Sequence, residues 1–250
     1  PPAGKDTLRL AGLADRAERP NPMPRTEIEV TRAGWPASRE RLYFLFEAAS
    51  RPNLVPDPGG RGERTYALEA VGAATYDRTG ALWLRGGLVA AERAAGDTVS
   101  GGARLANAIT VELVVAPAAD LAPTPATLVS LAGGRNPNLV LALEGGKLVL
   151  WIRRSGLKDE RSRVELAPLP PGRPAHVVVS YAPGDLRCFL DGKPVLETDA
   201  VQGDFFHWKP QPLVFGNDPG RQTPFRGRLS HVAIFGRAMG GDEARENAAR

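Results

Sequence analysis

From residue 109 to residue 235 the chain repeats one local pattern: a short run of β-branched and aliphatic residues, a turn bearing Gly, Pro, Asn or Asp, then another run. The run at 175–181 alternates, with His176, Val178 and Ser180 on one face and Val177, Val179 and Tyr181 on the other. Runs at 186–190 and 194–198 flank Asp191-Gly192-Lys193. Asp-Gly between two such runs is a strong hairpin signal, because glycine takes positive φ without a Cβ clash. A second hairpin is expected where 139–143 and 147–152 flank Glu144-Gly145-Gly146. Two more runs, 212–215 and 228–235, are split by the turn cluster Asn217-Asp218-Pro219-Gly220. In 109–116, Ile109, Val111, Leu113 and Val115 share a face and Glu112 takes the other. Strands of this kind must bury their apolar faces against one another, and two packed antiparallel sheets achieve that.

The order strand, hairpin, long loop, strand, loop, strand resembles the laminin-G-like branch of the concanavalin A-like jelly rolls, in the form common in bacterial secreted proteins. The matching pieces are HVVVSY (176–181), LRCFLDGKPV (186–195), PLVFGND (212–218) and FRGRLSHVAIFGRAM (225–239), with ITVELVVAPA (109–118) and the runs at 126–134 and 138–155 upstream. The resemblance covers residues 42–239 and implies an all-β, two-sheet antiparallel jelly-roll sandwich. It says little about activity, because the fold hosts lectins, hydrolases and interaction modules alike.

The expected organisation has three parts. Residues 1–25 carry five prolines and form an irregular arm or linker, with room for a short amphipathic helix within 7–19. Residues 26–239 form the sandwich, beginning with a strand at 26–32. Residues 240–250 are a tail with a short helix. Within the sandwich, 51–64 and 92–102 read as loops. The 28 glycines and 23 prolines suit many short strands joined by turns.

Several chemistries lack their residues. Retaining hydrolysis on a strand needs two carboxyls about 5–5.5 Å apart, and the alternating Glu-x-Asp-x-Glu pattern that would supply them is absent. The three histidines, His176, His207 and His231, form no H-x-H or H-x-x-x-H pair, and Cys188 is the sole cysteine. No nucleophile elbow, P-loop or dinucleotide fingerprint occurs in a strand-to-helix context. The net charge is +4, but the basic residues are scattered and no helix carries a basic stripe, so nucleic acid is not the expected partner. No run of 18 apolar residues is present. The chain is expected not to be an enzyme.

Three places remain for binding. The aromatic loop Phe205, Phe206, His207 and Trp208 reads either as a ligand or partner surface or as a cap on the end of the sandwich. Leu8, Leu10 and Leu13 form the apolar stripe of a docking arm. Asn217 and Asp218 sit at a strand end; the resemblance suggests calcium there, since some laminin-G-like relatives hold it with loop carboxylates and carbonyls, while the turn itself accounts for the same residues. No other cofactor is expected. The expected partner is a protein in a larger assembly, docked through sandwich and arm, or else a glycan or surface protein. The resemblance to secreted proteins implies a secreted, periplasmic or cell-surface location.

Overall fold

The turn at 191–193 shows how the pattern becomes structure. In the computed structural model Asp191 and Gly192 hold φ of 49° and 73°, the paired positive values that match a two-residue turn to the twist of its strands. Leu190 then lies opposite Lys193 and the two strands zip together. The structure describes residues 4–10, 26–32, 35–48, 54–56, 65–120, 124–134, 136–156 and 160–250.

In chain order the elements are β1 (Gly4–Leu10), β2 (Thr26–Arg32), β3 (Leu42–Glu47), β4 (Leu54–Pro56), β5 (Thr65–Val71), β6 (Ala74–Tyr76), β7 (Leu82–Arg85) and β8 (Leu88–Ala91). Helix α1 (Arg93–Ala106) follows, then β9 (Ile109–Pro117), β10 (Ala126–Leu131), β11 (Leu139–Glu144), β12 (Lys147–Arg153) and β13 (Arg161–Pro168). The chain closes with β14 (Ala175–Ala182), β15 (Asp185–Leu190), β16 (Lys193–Thr198), β17 (Leu213–Phe215), β18 (Arg226–Phe235) and α2 (Gly241–Ala248).

Two large antiparallel sheets result. The first runs β13-β12-β11-β10-β17-β8-β5-β4, and the second β16-β15-β14-β9-β18-β7-β6 with β3 also paired to β18. Non-consecutive neighbours such as β10–β17 and β9–β18 are the crossovers of a jelly roll. The alternation decides which side chains go between the sheets: Val177, Val179 and Tyr181 from β14 meet Leu128, Leu141, Leu150 and Phe215 in one core. Cys188 is fully buried in the same core, and burial pushes its thiol up to about 12.

Three expectations are corrected. Residues 51–64, read as a loop, contain β4, with Leu54 opposite Ala67 and Pro56 opposite Thr65 of β5. Residues 92–102 are not a loop; most of them belong to α1. Its glycines lower helix propensity by about 1 kcal/mol each relative to alanine, which makes the stretch look like a breaker. Their role is close packing. A Cβ on Gly96 would lie 2.1 Å from the Gln211 carbonyl oxygen, and one on Gly102 would lie 2.4 Å from the Tyr43 ring. Ala95, Val99 and Ala103, four residues apart, bury the helix face against the core. The arm differs as well. Residues 7–10, expected as the start of a short helix, are extended in β1, with Leu8 opposite Ile28 and Leu10 opposite Thr26 in a separate two-stranded sheet. An isolated short helix does not offset the cost of its nucleation, whereas an extended segment beside the alternating TEIEVTR strand gains a full ladder. Leu13 lies outside the described residues.

The outer face of the second sheet is covered by α2 and Trp35, which bury Val178, Phe189, Ala233 and Phe235. Glu112 is fully buried there. Its Oε1 is 2.6 Å from His176 Nε2, and its Oε2 accepts a bond from Asn247 Nδ2 of α2 at 3.0 Å. Burial nevertheless raises its pKa. His231 lies nearby, edge-on to Trp35 at 5.0 Å between ring centroids, and burial lowers its pKa from 6.5 to about 4.

The two groups act on stability with opposite signs. His231 contributes stability that is complete above the unfolded value near 6.5 and is lost as pH falls toward about 4, because the unfolded chain takes the proton first. Glu112, with a raised pKa, loses stability as pH rises above the unfolded carboxyl range. A His231→Phe variant isolates the first effect. Between pH 7 and pH 4.5 the wild type should lose about 2 kcal/mol more than the variant, from roughly 1.4 kcal/mol per pKa unit. Equal losses in denaturant titrations would place the proton elsewhere.

Candidate binding site

One end of the sandwich is closed by the loop 203–209. Its backbone is tied down locally. Asp204 Oδ1 accepts the Phe206 N–H at 2.9 Å, Ser155 Oγ accepts the His207 N–H at 2.8 Å, and Ser155 N donates to the Asp204 carbonyl at 2.7 Å. Tyr181 donates its hydroxyl to the Gly203 carbonyl at 2.6 Å. These bonds turn the aromatic residues of the loop in opposite directions. Phe205 and Trp208 point inward, stacked at 4.0 Å, and Trp208 Nε1 donates to the Arg153 carbonyl at 2.7 Å. Phe206 and His207 point outward, Phe206 with 75% of its surface exposed. The four aromatic candidates therefore divide into two that cap the core and two that face solvent.

The neighbouring edge comes from α1. The Phe205 N–H donates to Asn107 Oδ1 at 3.2 Å, which fixes the loop against the helix end. Leu105, in the last turn, is 86% exposed. Leu105 and Phe206 line one depression with Arg104, Asn107 and Asp204. Phe206 also borders a second, with Arg153, Glu160, His207 and Lys209. Arg153 Nε donates to Glu160 Oε2 at 3.0 Å, and His207 Nδ1 is 2.7 Å from Glu160 Oε1. The Arg153 bond, then His207, holds the Glu160 carboxyl below its usual range. Arg104 and Lys209 have no ion pair among the described residues.

Arg153 leads from this rim onto the outer face of the first sheet, where Trp151 lies two residues earlier on the same side. Trp151 borders a groove of about 290 Å³ that is lined also by Thr127, Pro137, Val140, Arg161, Asp218 and Thr223. The indole is held in place: Nε1 donates to Glu144 Oε1 at 2.8 Å, and Glu144 Oε2 accepts Arg163 Nη2 at 2.7 Å. Burial would raise the Glu144 pKa, but the bonds from Trp151 and Arg163 outweigh it and hold it low. With its one donor satisfied, the ring has only its faces left to offer a ligand.

Asp218 lines that groove, its neighbour Asn217 is buried, and the side-chain oxygens of both are engaged. Asp218 Oδ1 accepts from the Gln222 and Thr223 N–H groups at 2.6 and 2.8 Å, Oδ2 accepts from Gly220 N–H at 2.8 Å, and Asn217 Oδ1 accepts from Asp218 and Thr223 N–H groups. Burial opposes ionisation of Asp218, yet these bonds hold its pKa down. The pair braces the turn, and a cation there would compete with those N–H donors. Among the described residues no three His, Cys, Asp or Glu side chains gather as metal ligands.

The family model of the concanavalin A-like lectin/glucanases superfamily matches residues 94–245. The chain belongs to this superfamily. Superfamily membership accounts for the crossovers and for the two-sheet core. Solved structures with the same fold include the binding domain of botulinum neurotoxin serotype D/C, with a TM-score of 0.64 at 8% identity, over 84% of this chain and 52% of that one. The binding domain of botulinum neurotoxin DC in complex with rat synaptotagmin II matches with a TM-score of 0.63 at 8% identity, over 85% and 52% of the two chains. A third comes from botulinum neurotoxin type C, whose cell entry depends on interaction with two ganglioside molecules; the TM-score is 0.61 at 9% identity, over 84% and 51%. The chain spans about half the length of these structures, and the likeness is one of fold. No curated protein is detectably similar in sequence.

Neither Leu105 nor the Trp151 groove stands out in the sequence as a site. Leu105 is hidden by the glycines that make α1 look like a loop. Trp151 is visible only as one residue of a hairpin strand; its alternation with Leu150 and Ile152 is the signal that points it outward.

Proposed function

We propose that this superfamily member is a non-catalytic, extracytoplasmic binding module that holds a glycan against Trp151. The observation that carries the reading is the immobilised indole beside an apolar floor with a polar margin. A pyranose ring has an apolar face and an equatorial rim of hydroxyls, so a fixed aromatic face beside Pro137 and Val140, with the exposed Arg161 at its margin, complements it. Similarity of fold to toxin binding domains, one solved in complex with rat synaptotagmin II and one tied to gangliosides, supports a binding role for the same scaffold. No metal or acid–base pair is invoked, and the reading fails if the protein turns over a glucan in a manner abolished by one Asp or Glu substitution.

Docking on a larger protein assembly is the second reading. It is favoured by the exposure of Leu105 and Phe206 at the sandwich end, with the N-terminal arm as a further contact. Isothermal titration with a glycan selected from an array separates the two. Trp151→Ala should weaken binding at least about tenfold, the loss typical of removing an aromatic anchor, when both proteins are titrated well below the variant's own thermal midpoint. Unaltered affinity in that variant removes the groove from the account and leaves docking.

A further inference from the structure

We propose that the end of the sandwich carrying Leu105 and Phe206 rests in the headgroup layer of an anionic lipid bilayer. The two side chains are the most exposed large hydrophobics among the described residues, and they share one depression. Neither is exposed through slackness. Leu105 belongs to the last turn of a packed helix, and Phe206 is presented by a loop with bonds to Asp204 and Ser155. A rigid scaffold that points a Leu and a Phe into solvent keeps a persistent hydrophobic cost unless something covers them.

The charges beside them indicate the cover. Arg104 precedes Leu105 and Lys209 borders the second depression of Phe206, both exposed and without an ion pair among the described residues. Of the other charged groups on this rim, Arg153 and His207 share Glu160, and Asp204 engages Oδ1 within its own loop. That backbone bond leaves Asp204 its negative charge, so Arg104 and Lys209 against Asp204 leave the rim one positive charge in excess. A protein partner of ordinary affinity presents about 800 Å² of fitted surface per side, which two protruding side chains do not supply. A bilayer needs no fitted socket. Apolar tips enter the boundary between headgroups and acyl chains, and cations sit among the lipid phosphates. No helix in the described residues is long and apolar enough to cross a membrane; the proposed contact is with the headgroup layer. It is independent of the glycan reading, which uses Trp151.

The test is co-sedimentation of the full chain with vesicles of phosphatidylcholine, alone or mixed with phosphatidylserine. Binding is expected to the mixed vesicles and to weaken with salt. An Arg104→Gln/Lys209→Gln variant should bind them about 30-fold more weakly, at the usual contribution of one basic residue near an anionic surface. Leu105→Asp/Phe206→Asp should abolish binding while keeping the wild-type thermal midpoint and the wild-type glycan affinity. Failure to bind either vesicle, equal binding to both, or unchanged binding by the aspartate variant overturns the proposal. Loss of a protein partner by that variant, with no vesicle binding by the wild type, also overturns it and assigns the rim to protein docking. Trp151→Ala should leave vesicle binding intact, so the two hypotheses fail separately.

Discussion

Gly192→Val will lower stability by about 3 kcal/mol. The first part of the loss is conformational: Gly192 holds φ of 73°, and an L-residue in the left-handed region costs roughly 1–2 kcal/mol, more when β-branched. The second part is steric. A Cβ at this position would sit 2.9 Å from Arg245 Cα and 3.2 Å from the Ala248 methyl, so the hairpin tip must push against α2, and overpacking typically adds about 1–3 kcal/mol. In a chain of this size that total moves the thermal midpoint by about 6–12 °C. Gly145→Val is the internal control. Gly145 turns the other hairpin at φ of 58°, and a Cβ there would meet nothing within 4 Å, so that variant bears the backbone cost alone. Equal midpoint shifts in the two variants would mean that α2 does not pack on the β15–β16 turn.

Trp208→Ala will destabilise the protein by about 4 kcal/mol, and Phe206→Ala by no more than about 0.5 kcal/mol. Trp208 is 1% exposed, stacks on Phe205 and satisfies the Arg153 carbonyl. Its removal leaves a cavity under the loop and an unpaired acceptor. Phe206, two positions earlier, is 75% exposed and contacts little of the core. Urea unfolding of both variants measures the difference, and the reverse order would contradict the inward and outward assignment of the loop.

What could be read in the sequence follows from where the governing interactions lie. The hairpins at 144–146 and 191–193 were legible because each is decided within a few residues, by glycine in the turn and alternation on either side. The same locality made Val177, Val179 and Tyr181 recognisable as sharing one face. The C-terminal helix, with Asp242 and Glu243 in its first turn, was legible for a similar reason. Helix α1 was not, because Gly96 and Gly102 are present for contacts with Gln211 and Tyr43, which are distant in sequence. The loop 203–209 was recognisable as aromatic, yet its division into cap and surface depends on Ser155, some fifty residues upstream. Asp218 could be placed in a turn, but not shown to engage both oxygens there. Trp151 stands out only once Glu144, across its own hairpin, and Arg163 on the next strand are seen to fix its ring.

The central claim is that ligand meets the Trp151 face. The four tryptophans, Trp35, Trp83, Trp151 and Trp208, give separate indole N–H signals in a nitrogen–proton correlation spectrum. Trp35 and Trp208 are buried and Trp83 stands on the other sheet, outside the groove. On titration with a glycan selected from an array, the Trp151 signal is predicted to shift progressively and to saturate, while those of Trp35, Trp83 and Trp208 stay in place. A saturating glycan that leaves the Trp151 indole unmoved would contradict the account.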